Sequence, residues 1–156
     1  MDSIRSTLLP LGLLVTSNTV PWLLGHALGA RGAAPLDFGR RWRDGERLFG
    51  AHKTWRGLAS AMAGTALVGW LAGVTPGLGA AFGALAMAGD LLSSFVKRRL
   101  RLRPGQDVPG LDQLPECLLP LAALARPLAL DATAIALVAA AFTLGHLAIA
   151  RLRRRP

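Results

Sequence analysis

One cysteine, Cys117, in 156 residues rules out an intramolecular disulfide framework, and its apolar surroundings mark it as a packing residue. Charge is absent from most of the chain in long blocks: residues 6–30, 57–89 and 132–150 contain no Asp, Glu, Lys or Arg. A soluble domain of this length carries more charge and shows clearer polar faces, so a water-soluble core is excluded. The apolar stretch at residues 8–14 could imitate a signal peptide, but no A-x-A site follows it and the hydrophobic pattern continues. The amino-terminal segment therefore reads as a retained span. Acidic residues are scarce, 9 against 18 basic, for a net charge of +9. On a soluble protein that balance would suggest nucleic acid. Here the positive charges cluster between apolar blocks, as the positive-inside rule describes, and nucleic acid is not an expected partner.

What remains is 52% hydrophobic and organised as spans. About 20 apolar residues cross a bilayer, so the first and last blocks are each one span. The middle block is longer, and Thr75-Pro76-Gly77 interrupts it, which predicts a helical hairpin between about Thr54 and Val96. Basic segments at 31–56, 97–103 and from Arg151 onward belong on one side of the membrane. Placing them in the cytoplasm gives an all-α, polytopic protein of about five spans in one domain (residues 1–156). Its amino end lies outside the cell membrane, and its carboxyl end and polar loops lie inside. The fourth span, leaving near Leu111, holds Pro115, Glu116, Pro120, Arg126 and Pro127, and is expected to face the protein interior. Arg151, Arg153, Arg154 and Arg155 read as a stop and headgroup anchor.

Chemistry is concentrated in three polar segments. In the first, Asp90, Ser94 and Lys97 fall at i, i+4 and i+7 and share a helical face. A carboxylate near the end of an apolar span is costly and suggests function, although an ion pair or a helix-end cap would also account for it. The second is the loop from Arg103 to Gln113, whose prolines and glycines let Asp107 and Asp112 approach Asp90. Three aspartates among arginines, without a His/Cys set, suit Mg²⁺ with nucleotide phosphates rather than zinc; as ordinary turn residues they would need no metal. The third is Lys53-Thr54-Trp55-Arg56 at the start of a helix, where backbone N–H groups and two cations can hold phosphates. Its spacing after Gly45 and Gly50 does not fit a P-loop, and no strand precedes it. Trp55 is equally an interfacial belt residue. His26 on the first span reads as a satisfied core histidine.

Taken in order, these segments resemble the CDP-archaeol synthase family, within the wider CdsA-like CTP-transferases. The matching pieces are Asn18 with Pro21, P-L-D-F-G-R-R at Pro35 to Arg41, and K-T-W-R-G at Lys53 to Gly57. G-D-x-x-x-S-F-V-K-R-R at Gly89 to Arg99 and the Pro104 to Gln113 loop ending in L-D-Q complete them. The resemblance implies transfer of CMP from CTP to an isoprenoid glycerol-ether phosphate, with Mg²⁺ as cofactor and release of pyrophosphate. It implies Asp90, Asp107 and Asp112 as metal-binding carboxylates, with Asp90, Asp112 and Lys97 catalytic. Lys53, Arg56, Lys97 and Arg98 would meet phosphates, and Asn18, Thr54 and Asp37 would be nucleotide-side or structural positions.

Two features depart from the pattern. Pro115 stands where a helix should continue, and the Arg- and Ala-rich composition points to a high-GC bacterial source. A phosphatidate-type substrate stays open beside the ether lipid, as does a non-catalytic homologue or a small transporter. A transporter would collect polar groups at the bilayer midplane, whereas here they collect at one edge. The oligomeric state is not legible.

Overall fold

A computed structural model describes residues 2–103, 106 and 108–153. Asp107, Arg154 and Arg155, three of the residues singled out above, lie outside the described set, as do Pro104 and Gly105 of the loop motif. The described residues form five helices: α1 (Asp2–Leu28), α2 (Trp55–Leu71), α3 (Pro76–Arg99), α4 (Gln113–Ala123) and α5 (Ala132–Arg153). The protein is an all-α polytopic membrane protein. Among the described residues, three helices are long and apolar enough to cross a bilayer, within Arg5–Leu28, Pro76–Arg99 and Ala132–Ile149. With 17 residues α2 is at the lower limit for a span, and α4, with 11, is too short to cross alone.

The turn expected at Thr75-Pro76 is a helix start. Thr75 caps α3 by accepting from the Leu78 amide, and Pro76 follows at a position whose missing N–H costs nothing. Glycine then lets α3 lie directly on α2. A Cβ at Gly83 would sit 2.9 Å from the Ala61 carbonyl oxygen, and one at Gly79 would sit 2.5 Å from that of Thr65. In lipid this close approach supplies the dispersion contacts that hold helices together.

In α4 the buried residues are Gln113, Glu116, Cys117, Pro120 and Leu121, a single inward stripe at helical spacing. The expectation of an inward-facing fourth segment thus holds. Pro115 lies in the first turn, where a helix needs no N–H from it. Leu13 and Leu14 of α1, Phe82 of α3, Cys117 and Leu121 of α4 and Val138 of α5 form the core. His26 departs from its reading as a core residue. It is exposed, its ring lies 4.1 Å from that of Trp22, and its Nδ1 is 2.9 Å from the Trp22 carbonyl oxygen. One turn of helix satisfies it locally, so no core site is needed.

Candidate active site

The polar segments meet where α1 ends, α2 begins, α3 ends and α4 begins. Lys53, just before α2, reaches Asp90 on α3, with Nζ 2.5 Å from Oδ2. Two turns further along the same face of α3, Lys97 Nζ lies 2.7 Å from Asp112 Oδ1. Asp112 precedes α4 as its cap residue, yet its side chain makes no capping bond to that helix. Instead Oδ2 accepts from the Val108 amide at 2.9 Å, and Lys97 also donates to the Gln106 carbonyl at 3.0 Å. The result is two lysine–aspartate pairs side by side, all four side chains partly buried.

Glycine sets the spacing between them. Gly89 lies so close to the first turn of α4 that a Cβ would fall 2.1 Å from the Pro115 carbonyl oxygen. No side chain fits there, and this contact brings Glu116 within electrostatic reach of Asp90, Lys53 and Asp112. Glu116 is buried, and its Oε1 accepts a hydrogen bond from Asn18 Nδ2 on α1; the same Nδ2 also donates to the Leu14 carbonyl at 3.0 Å. Sequence reasoning placed Glu116 in an interior-facing segment without giving it a role. Its signal was a carboxylate in an apolar run.

Other expected site residues have internal partners. Arg56 donates to the carbonyls of Gly29 and Arg31, tying the end of α1 to the start of α2. Thr54 caps α2 by accepting from the Gly57 amide at 3.1 Å. Arg98 is buried and donates to the Arg103 carbonyl at 3.1 Å. Asp37 is buried, with both oxygens taken by its own loop: Arg47 at 2.5 Å, and the amides of Gly39, Phe49 and Gly50 at 2.9–3.3 Å. Burial alone would raise its pKa. The Arg47 bond and the three amides outweigh that and hold the carboxyl well below the usual carboxylate range.

The donor set for a cation consists of carboxylate oxygens. Among the described residues no three His, Cys, Asp or Glu side chains form a ready ligand group. Mg²⁺ in general takes one or two carboxylates and fills its remaining positions with water and phosphate oxygens. Asp90 and Asp112 fit such a role, with Lys53 and Lys97 as their present counter-charges.

A family model described as CarS-like, CDP-archaeol synthase, matches residues 14–85 and 73–153. The chain belongs to this family. A CDP-archaeol synthase of Pyrococcus furiosus is 41% identical over 107 residues, which is 62% of this chain and 60% of that one. The enzyme of the same name from Thermococcus onnurineus is 44% identical over 111 residues, 63% and 61% of the two chains. The chain thus spans about 60% of the length of the curated CDP-archaeol synthases it matches. A solved structure of an intramembrane enzyme for archaeal membrane lipid biosynthesis superposes with a TM-score of 0.70 at 32% identity, covering 90% of each chain. These relatives are archaeal, so the composition-based expectation of a bacterial source draws no support from them.

Proposed function

We propose that the chain is a CTP-dependent cytidylyltransferase that converts a membrane lipid phosphate, of the digeranylgeranylglycerol phosphate type, into its CDP derivative and pyrophosphate. The observation that carries this reading is the pair of lysine–aspartate contacts, Lys53–Asp90 and Lys97–Asp112, at one edge of an otherwise apolar bundle. Membership of the CDP-archaeol synthase family supports the reaction class. Localisation at the polar edge suits a reaction between a soluble triphosphate and a lipid whose tail stays in the bilayer. We place that edge and the carboxyl terminus in the cytoplasm, on the clustering of arginine and lysine there.

A phosphate oxygen of the lipid forms a bond to the α-phosphorus of CTP as the bond to the pyrophosphate oxygen breaks. The lipid phosphate is already ionised at neutral pH, so no general base is required. The protein positions two anions and neutralises their charge. Lys53 and Lys97 can each turn from a carboxylate to a phosphate oxygen on a long, flexible stem. Asp90 and Asp112, freed by that exchange, would hold Mg²⁺, which when bound neutralises charge on the triphosphate oxygens. Asp107 is a third candidate for this role. Arg98 lies in the same basic turn, and Asn18 is held by Glu116 facing the Lys53–Asp90 pair. Arg56, Thr54 and Asp37 act indirectly, by fixing the loop that carries Lys53.

The test is pyrophosphate release by the purified protein in lipid micelles with CTP and Mg²⁺. Geranylgeranyl-ether glycerol phosphate and phosphatidic acid are supplied in parallel. Release with the ether lipid, lost when Mg²⁺ is chelated, is the expected result. Release with phosphatidic acid alone would reassign the substrate, and no release with either lipid from folded protein would sink the reading.

A further inference from the structure

The loop joining α1 to α2 is held rigidly. At its base the Leu36 amide donates to the Lys53 carbonyl at 2.7 Å, and the Trp55 amide to that of Ala34 at 3.0 Å. Inside it a short hairpin closes through Trp42 N to Glu46 O at 2.8 Å and Leu48 N to Arg40 O at 3.1 Å. Asp37 is its buried hub, and Arg99 of α3 fastens the tip by donating to Asp44 at 2.7 Å and to the Arg47 carbonyl at 2.8 Å. Trp42 stands edge-on to Phe95 of α3, with ring centroids 5.6 Å apart.

This bracing determines what faces outward. Phe38, Arg40, Arg41, Trp42 and Arg43 are all exposed, Phe38 by 68%. Phe38 adopts a left-handed backbone conformation, φ 46°, which costs a non-glycine residue about 1–2 kcal/mol and is maintained here by the surrounding bonds. Arg41 donates to the Gly45 carbonyl, while Arg40 and Arg43 have no carboxylate partner among the described residues. Asp37 and Asp44, two acids of the same loop, are committed to Arg47 and Arg99. Trp55, with its ring 6.2 Å from that of Phe38, extends the patch to the first residue of α2.

Aromatic rings interleaved with unpaired guanidiniums match one surface closely. At an anionic lipid headgroup layer the rings sit at the level of the glycerol backbone and the guanidiniums take phosphate oxygens in pairs. We propose that the outer face of this hairpin, formed by Phe38, Arg40, Trp42 and Arg43, docks on the anionic surface of the bilayer and concentrates lipid phosphates beside the loop that ends at Lys53. The inference rests on the chain being a membrane protein and not on cytidylyl transfer, so either can fail alone.

The experiment compares the unmodified protein in nanodiscs of phosphatidylcholine and in nanodiscs that also contain phosphatidylglycerol. Modification of Arg40 and Arg43 by phenylglyoxal is followed by mass spectrometry. Several-fold slower modification in the anionic discs, reversed by high salt, is expected. A protein with Trp22, Trp55 and Trp70 replaced by Phe leaves Trp42 as its one tryptophan. Its fluorescence should be quenched more by brominated phosphatidylglycerol than by brominated phosphatidylcholine. Equal modification rates in the two discs, or equal quenching by the two lipids, would overturn the proposal and leave the patch to solvent or to a protein partner. Because the arginine measurement uses the native sequence, a folding failure of the tryptophan variant does not remove the test.

Discussion

The two ends of the helical bundle are built from the same helices and carry different chemistry. Where α2 begins and α3 ends, Lys53, Asp90, Lys97 and Asp112 pair across elements, and Glu116 and Asn18 close a second layer beneath them. Where α2 ends and α3 begins, a cavity of about 610 Å³ has a mixed lining, with Leu9, Val74, Leu78 and Leu128 beside Arg5, Thr75 and Asp131. Arg5 there donates to a backbone carbonyl, that of Ala72, and Asp131 accepts from the Ala134 amide. The charges named at that end bond to backbone groups, whereas at the first end lysines and aspartates also neutralise one another across elements. Paired opposite charges that can exchange partners are what a site for anionic substrates requires.

The largest effect expected from breaking this contrast is at the carboxylates. Asp90→Asn and Asp112→Asn should each lower CDP-lipid formation by on the order of 10²–10³-fold with the fold retained, as circular dichroism in detergent would check. Wild-type rates in both variants would remove the metal-site assignment. Gly89→Ala comes next. Its Cβ has no room beside Pro115, so α4 must shift, at a cost of about 1–3 kcal/mol in thermal unfolding and with a loss of turnover as Asp112 moves. An unchanged melting temperature would show that the contact is looser than described.

Asp37 gives a test by pH. Its folded pKa is depressed, so its contribution is present above the ordinary carboxylate value near 3.8 and is lost as pH falls below it toward the folded value. Resistance of the α1–α2 loop to proteolysis should therefore be unchanged between pH 7 and pH 4, using an acid-tolerant protease at the lower end. Asp37→Asn should abolish that resistance at pH 7. The smallest effects sharpen the comparison directly. Thr54→Ala and Thr75→Ala each remove an N-terminal helix cap, of α2 and α3 respectively, worth about 1 kcal/mol of stability, at opposite ends of the bundle. Only Thr54→Ala should also reduce turnover, because it loosens the segment bearing Lys53. Equal losses of turnover in the two variants would contradict the division between the ends.

Much of the architecture could be read from the sequence, because in a bilayer the absence of charge is itself the signal. The uncharged blocks became α1, the α2–α3 hairpin and α5, and Thr75-Pro76 marked the start of α3. Asp90 and Lys97 could be placed on one face by helical spacing alone. The Pro- and Gly-rich loop also announced that Asp112 comes to this face. It did not announce the contacts Lys53–Asp90, between residues 37 apart, and Asn18–Glu116, between residues 98 apart, because local periodicity holds no information on which helices become neighbours. Arg56 shows the opposite difficulty. A guanidinium beside a helix start suits a phosphate, and spacing alone does not announce that it also satisfies the carbonyl following α1. Asp37 likewise sits in a motif that resembles a ligand site, and its oxygens serve the loop.

The measurement that bears most directly on the central claim is CDP-lipid formation from CTP and geranylgeranyl-ether glycerol phosphate, read by mass spectrometry for wild type and Asp112→Asn side by side. CDP-lipid from the wild type and none above background from the folded variant is the predicted result. CDP-lipid formed equally by both, or by neither, would contradict the assignment of this edge of the bundle as the site of transfer.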